Sequence, residues 1–213
     1  MAMKKLLVVG DSFMTRDTDY PGQHWSEMLP EYEIIMRSIS GSSNGIIAYQ
    51  FFQGLKLNPD AIVIGLTMPD RIEFPIPPGR VPGQRYENKI WYSSANSSLT
   101  KDQQLAADLF RATSDNNMNI FKSILIARSM FLECERRKIP YAFNWNTLYG
   151  ANNTGNPDHP MIADIVNDFS SRRCTNLNGH IFKMHPGFHN DDPVYQKRMA
   201  DEVRTILSTV DFD

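Results

Sequence analysis

The chain has 213 residues, of which 41% are hydrophobic, and a formal net charge of −2 at pH 7. That length is enough for one domain with a substantial core, and the near-neutral charge, without a basic stripe, argues against nucleic acid as a partner. Cys134 and Cys174 are the only cysteines, which is too few for a disulfide framework or a cysteine-based zinc site, so we expect two reduced thiols.

The first predicted element is a strand. Residues Leu6–Val9 form an unbroken apolar run, which is typical of a strand buried on both faces of a sheet. The run is too short for a signal-peptide core, and no run approaches a membrane span, so we expect a cytoplasmic protein without a membrane partner. Gly10 allows a sharp turn at the carboxyl end of the strand, where open α/β sheets bind ligands. Ser12 is therefore either a nucleophile at that edge or the N-cap of a helix.

Alternating helices and strands follow as far as residue 66. They are a short helix at Gln23–Leu29 that buries Trp25 and Leu29, a strand at Glu33–Ile39, a helix around Ile46–Phe51 and a buried strand at Ala61–Leu66. This β-α-β-α-β order predicts parallel strands joined by right-handed crossovers.

Residues 69–98 interrupt this alternation. They include five prolines, at positions 69, 75, 77, 78 and 82. A loop of this length inside a compact domain is usually functional or disordered. Because it follows the carboxyl end of a strand, we predict a lid or rim over the site; the alternative is a surface insertion without a role. Arg71 and Glu73 near its start are candidates to line the site, or they form an ordinary surface ion pair with each other.

The second half of the chain is predicted to contain two helical regions and a fourth strand. Thr100–Gln103 has the spacing of a capping box and opens a long helix with a break near residues 114–117. The residues predicted to face the core are Ile120, Ile124, Ala127 and Phe131 on this helix, and Val194, Met199, Val203 and Ile206 on a closing helix at Asp192–Leu207. Tyr141–Trp145 fits the fourth strand. With no repeat or domain boundary, we expect a single domain over residues 1–213.

Four polar motifs accompany these elements. They are Gly10-Asp11-Ser12 after the first strand, Gly41 within Ser40–Asn44 after the second, Gly65-Leu66-Thr67 after the third, and Met184-His185-Pro186-Gly187 before the last helix. These motifs would supply, in chain order, a nucleophile, a glycine N–H, a polar donor and a late histidine. In that order of groups the chain resembles the SGNH (GDSL-like) hydrolases over nearly its whole length. The resemblance implies a flavodoxin-like three-layer α/β/α domain with a parallel sheet of about five strands.

The resemblance also implies a role for each motif. Ser12 would attack an ester carbonyl, and His185 would take the serine proton. The backbone N–H groups of Ser12 and Gly41 would bind the oxyanion. In the family an asparagine of the third motif donates to the same oxyanion, and Thr67 stands at that place here. Asn44 is either a substitute donor or simply a polar residue in the first turn of a helix.

A second departure concerns the carboxylate that supports the histidine. The family usually carries an aspartate three residues before its histidine, and Phe182 occupies that position. A backbone carbonyl, or Asp191 or Asp192 folding back, would then have to support the imidazole. Asp11, next to the nucleophile, is a further candidate supporting residue.

The histidines are His24, His159, His180, His185 and His189, and their spacing matches no metal motif, so neither a metal nor a cofactor is expected. His180 and His189 compete with His185 as the base, but only His185 is followed by Pro-Gly.

We therefore expect a serine esterase that hydrolyses a small ester, such as an O-acyl group on a carbohydrate, through an acyl-enzyme. One alternative is a catalytically degraded relative that binds a glycan or acyl ligand without turnover. Another is an unrelated doubly wound domain that binds a phosphate-bearing ligand at Gly10–Ser12, which no phosphate-binding motif supports.

Overall fold

The computed structural model describes residues 3–16, 21–67, 69, 71–75, 91–93, 100–113, 116–145 and 193–209. The elements in chain order are β1 (Lys4–Val9), β2 (Tyr32–Met36), α1 (Asn44–Gly54), β3 (Ala61–Leu66), β4 (Glu73–Pro75), β5 (Trp91–Ser93), α2 (Lys101–Thr113), α3 (Asn116–Arg137), β6 (Tyr141–Trp145) and α4 (Pro193–Thr209). Short 3₁₀ turns lie at Ser12–Met14, Trp25–Met28 and Leu55–Leu57.

The main sheet is parallel, with strand order β2-β1-β3-β6. Both faces are covered, so Leu6–Val9 of β1 are completely buried, as their unbroken apolar run predicts. We expected about five strands, and the part of the chain that the structure describes contains four in this sheet. β2 ends at Met36, three residues earlier than predicted, although the Ile39 N–H still donates to the Gly10 carbonyl at 2.9 Å.

The side chains of the sheet alternate between two cores. Leu7 and Val9 of β1 pack with α1 and α3 on one face, whereas Leu6 and Val8 pack with α4 and the Trp25–Met28 turn on the other. This alternation with period two along a strand places helices on both faces and gives three layers. The predicted α/β/α class is therefore confirmed.

The predicted apolar stripe on α3 is confirmed, because Ile120, Ile124, Ala127 and Phe131 are all buried in the first core. At the start of α2, the Gln103 N–H donates to the Thr100 hydroxyl and the Thr100 N–H donates to the Gln103 side chain, which is the expected reciprocal capping box. α2 ends at Thr113 and α3 begins at Asn116, and residues 114 and 115 of the predicted break lie outside the described residues.

The prediction for the closing helix is wrong at one residue. Met199 and Val203 of α4 are buried, but Val194 is 66% exposed. The inward stripe begins instead at the partly buried Tyr195, four residues before Met199, because side chains on one helix face recur every three or four residues. Within the described ranges, no helix has both the length and the apolar character needed to cross a membrane.

Candidate functional site at the carboxyl edge of the sheet

Ser12 lies just beyond the carboxyl end of β1, at the start of a single 3₁₀ turn. Asp11 is the N-cap of this turn, and its Oδ1 accepts a hydrogen bond from the Phe13 N–H at 3.1 Å. Ser12 is partly exposed, and its hydroxyl has no hydrogen-bond partner among the residues that the structure describes. The capping function considered for Ser12 therefore belongs to Asp11.

Met14 anchors the same turn to the sheet. It is 2% exposed and packs on Gly10 and Gly65, where an added Cβ would overlap its side chain. Gly10 also has φ +155°, a backbone conformation that glycine adopts easily. These two glycines, at the ends of β1 and β3, let the Ser12 turn lie close against the sheet.

The loop after β2 contains Gly41, whose φ of +76° falls in the left-handed region that favours glycine. Gln50 of α1 holds this loop against β1. Its Oε1 accepts from the Gly10 N–H and its Nε2 donates to the Ser42 Oγ, both at 2.9 Å. This role of Gln50 was not predicted from the sequence, although a glutamine on the core-facing side of a predicted helix is a signal for it.

Asn44 joins the loop after β2 to the end of β3. Its Nδ2 donates to the Thr67 carbonyl at 3.0 Å, and its Oδ1 accepts from the Thr67 N–H at 2.9 Å. The buried amide thus pairs with the Thr67 backbone as a neighbouring strand would. As a result, the segments that carry Ser12, Gly41 and Thr67 meet at one edge of the sheet.

A buried polar cluster connects all three segments. The Thr67 hydroxyl donates to Asp11 Oδ2 at 2.6 Å, and Arg71 Nη1 donates to the same oxygen at 3.0 Å. Arg71 Nη1 also donates to the Ser42 carbonyl at 2.9 Å. Burial raises the pKa of Asp11, while the hydrogen bond from Thr67 and the charge of Arg71 oppose that shift. Asp11 therefore binds and orients neighbouring groups at this edge.

Glu73 forms a separate link. Its carboxylate accepts a hydrogen bond from the hydroxyl of Ser43, the N-cap of α1, and a Cβ at Gly45 would clash with it. The alternative that Arg71 and Glu73 form a surface ion pair with each other is therefore wrong. Arg71 pairs with Asp11 at 3.0 Å instead, and the two residues fix different parts of the neighbouring loops.

His24 caps the Trp25–Met28 turn and is almost completely buried. Its Nδ1 lies 2.8 Å from the Ser26 Oγ. Burial lowers the pKa of His24 to about 4, and the charge of Arg16 acts in the same direction. The ring is therefore neutral in the folded protein at pH 7 and has a structural role in the turn.

Acid is expected to weaken the fold through His24. The unfolded histidine has a pKa near 6.5, so between that value and about 4 the unfolded chain binds more protons and stability falls as pH falls. The full effect corresponds to about 3 kcal/mol, of which about 2 kcal/mol should be lost between pH 7 and pH 5. Urea unfolding at the two pH values measures this loss.

His24→Asn is the matched control, since asparagine keeps a capping oxygen but does not titrate. Asp11, with its raised pKa, gains stability from acid and opposes the effect, but it does so equally in both proteins. The difference between the two acid responses therefore isolates His24. Identical responses would show that the ring is not held neutral in the fold.

His185, the residue expected to act as the base, lies outside the described residues. The same is true of Phe182, Asp191 and Asp192, and of the competing histidines His180 and His189. Among the residues that the structure does describe, no group of three histidine, cysteine, aspartate or glutamate side chains is placed to hold a metal ion.

Solved structures with the same fold include the psychrotrophic esterase EstA from Pseudoalteromonas sp., with a TM-score of 0.56 at 13% identity, covering 97% of this chain and 100% of that one. A lipolytic protein of the G-D-S-L family from Veillonella parvula gives 0.53 at 11% identity, covering 98% and 100%. The acetyl xylan esterase AlAXEase gives 0.51 at 12% identity, covering 97% and 100%. No protein-family model and no curated protein matches the sequence significantly. At these identities the similarity establishes the fold.

Proposed function

We propose that this chain, which has the fold of the SGNH (GDSL-like) hydrolases, hydrolyses a small ester with Ser12 as its nucleophile. The observation that carries the proposal is the meeting of Ser12, Gly41 and Thr67 at one sheet edge, held by Asp11 and Asn44 through buried hydrogen bonds. Ser12 itself is partly exposed, so a substrate can reach a hydroxyl whose surroundings are already fixed. Such preorganisation favours stabilisation of a charged intermediate.

The proposed reaction has two steps. The Ser12 Oγ attacks the ester carbonyl carbon while His185 takes the hydroxyl proton, and the N–H groups of Ser12 and Gly41 receive the negative charge on the carbonyl oxygen. The intermediate collapses, the alcohol leaves with the proton held by His185, and the acyl group stays on Ser12. Water, deprotonated by His185, then releases the acid and restores the serine. Thr67, the further donor expected from the sequence, could serve only if its hydroxyl turned away from Asp11.

The substrate proposed is an O-acyl group on a carbohydrate. A solved structure of similar fold is an acetyl xylan esterase, which supports an acylated sugar as the first substrate to try. We also propose that residues 69–98 form a rim that selects the substrate, because Arg71 and Glu73 at their start contact the loops around Ser12 and Gly41. Binding of a glycan without turnover is the second outcome to be distinguished.

The proposal is tested with a panel of esters that differ in acyl length and alcohol. Aryl acetate, butyrate and octanoate and acetylated xylan are offered to the purified protein, and acid release is followed by titration at constant pH. We expect turnover of the short acyl esters, with the Ser12→Ala variant as the background. Rates equal to that background on every ester would contradict the proposal. Calorimetric binding of acetylated xylan without turnover would then identify a glycan-binding protein.

A further inference from the structure

The two side chains considered as the third oxyanion donor are both engaged elsewhere. The hydroxyl of Thr67 has a single hydrogen, and it is donated to Asp11 at 2.6 Å. The amide of Asn44 is 4% exposed and is held at both its nitrogen and its oxygen by the backbone of Thr67, which leaves a single N–H on a buried group. In the resembled family an asparagine side chain donates to the oxyanion, and neither Thr67 nor Asn44 is placed to do so here. Another residue would therefore have to supply that hydrogen bond.

Arg71 lies between the two segments that carry the backbone donors. Its Nη1 bridges Asp11, the residue before Ser12, and the carbonyl of Ser42, the residue after Gly41. A guanidinium has five N–H donors in one plane, and Nη1 supplies two of them. All hydrogen bonds of Arg71 to described residues use Nη1, so Nη2 and Nε keep their hydrogens for a ligand at this edge.

The electrostatic setting also favours this assignment. The Arg71 side chain is 12% exposed, and that of its partner Asp11 is 1% exposed, so water screens the guanidinium poorly. Asp11 Oδ2 accepts hydrogen bonds from both Thr67 and Arg71, so its negative charge is shared between two donors. The guanidinium therefore retains positive character toward a new anion nearby. A charge-assisted hydrogen bond to an oxyanion is about twice as strong as one between neutral groups.

We propose that Arg71 is the third oxyanion donor of this site, its free N–H groups binding the ester carbonyl oxygen as that oxygen becomes an anion. The inference rests on the proposed ester hydrolysis and adds to it a residue that compensates for Thr67 at the asparagine position. Removing one oxyanion donor commonly lowers kcat by about 10²–10³-fold. Because the interaction strengthens only as charge develops, KM should change little.

The competing explanation is that Arg71 only neutralises Asp11, so the test separates the two roles. Arg71→Met alone leaves the Asp11 carboxylate buried without its cation and is expected to destabilise the fold. Asp11→Asn/Arg71→Met removes both charges and is compared with Asp11→Asn, which keeps the guanidinium. Urea unfolding confirms that both variants are folded, and kcat and KM are measured with an aryl acetate.

We expect the double variant to have a kcat about 10²-fold or more below that of Asp11→Asn, with a similar KM. Arg71→Lys, which keeps the charge but not the planar fork, should fall between the wild type and the double variant. Equal kcat values for Asp11→Asn and the double variant would overturn the proposal. If Ser12→Ala still abolished activity in that case, the proposed ester hydrolysis would stand and only the role of Arg71 would fail.

Discussion

Replacing Ser12 with alanine is expected to lower kcat/KM for an aryl acetate by about 10³-fold or more. The substitution removes the atom that attacks the ester and leaves only the donors that bind the carbonyl oxygen. Since the Ser12 hydroxyl has no partner among the described residues, the free energy of unfolding should change by less than about 0.5 kcal/mol. Initial rates and urea unfolding of the same preparations measure the two effects.

Ser129→Ala is a suitable control for this substitution. Ser129 is exposed on α3, and its hydroxyl donates only to the Ile126 carbonyl one helical turn earlier. Its replacement should leave the rate on aryl acetate unchanged. If Ser12→Ala retained the wild-type rate as well, Ser12 would not be the nucleophile, and the sheet edge would more readily be explained as a binding site.

Replacing His185 with alanine is expected to reduce kcat/KM about as far as Ser12→Ala, because a nucleophile and its base act as one unit. A serine hydroxyl at neutral pH needs a neighbour to take its proton. The wild-type rate should therefore fall as the pH is lowered through the titration of His185, since only the neutral imidazole can accept that proton. Rates of the wild type and the variant across pH 5–9 measure both effects.

His180→Ala and His189→Ala serve as controls for the base assignment. Both are expected to keep nearly the full wild-type rate. Loss of activity in His189→Ala, with His185→Ala active, would transfer the role of base to His189. Full activity in all three variants would contradict a histidine-assisted serine mechanism.

The fold could be predicted largely because its signals are local. The apolar run Leu6–Val9 and the stripe Ile120–Phe131 each show, within one element, which side chains must be buried. Gly10 is also a local signal, because a glycine after an apolar run indicates where β1 ends. It therefore indicates that Ser12 lies at the carboxyl edge of the sheet. At the start of α4 the prediction chose Val194 where the neighbouring residue faces the core. The apolar residues of this helix are irregularly spaced, so their pattern does not decide which of two adjacent residues is buried.

The contacts of the site were harder to predict, because they depend on how separate segments meet. Arg71 and Asp11 are 60 positions apart, and their pairing requires the chain after β3 to turn back over the Ser12 turn. Nothing in the sequence around Arg71 favours Asp11 over the nearby Glu73. Likewise, the Gln50 bridge depends on the position of α1 against β1, which composition and periodicity do not define.

The most direct test of a serine nucleophile at this edge is covalent labelling of the folded protein with an alkyl fluorophosphonate. This reagent reacts with an activated serine hydroxyl, and the serine oxygen replaces fluoride at phosphorus. Peptide mass analysis then locates the adduct. We predict one adduct per chain, on Ser12, that is absent from Ser12→Ala and from protein unfolded in urea. An unlabelled Ser12 in the folded protein, or an adduct confined to another residue, would contradict the account.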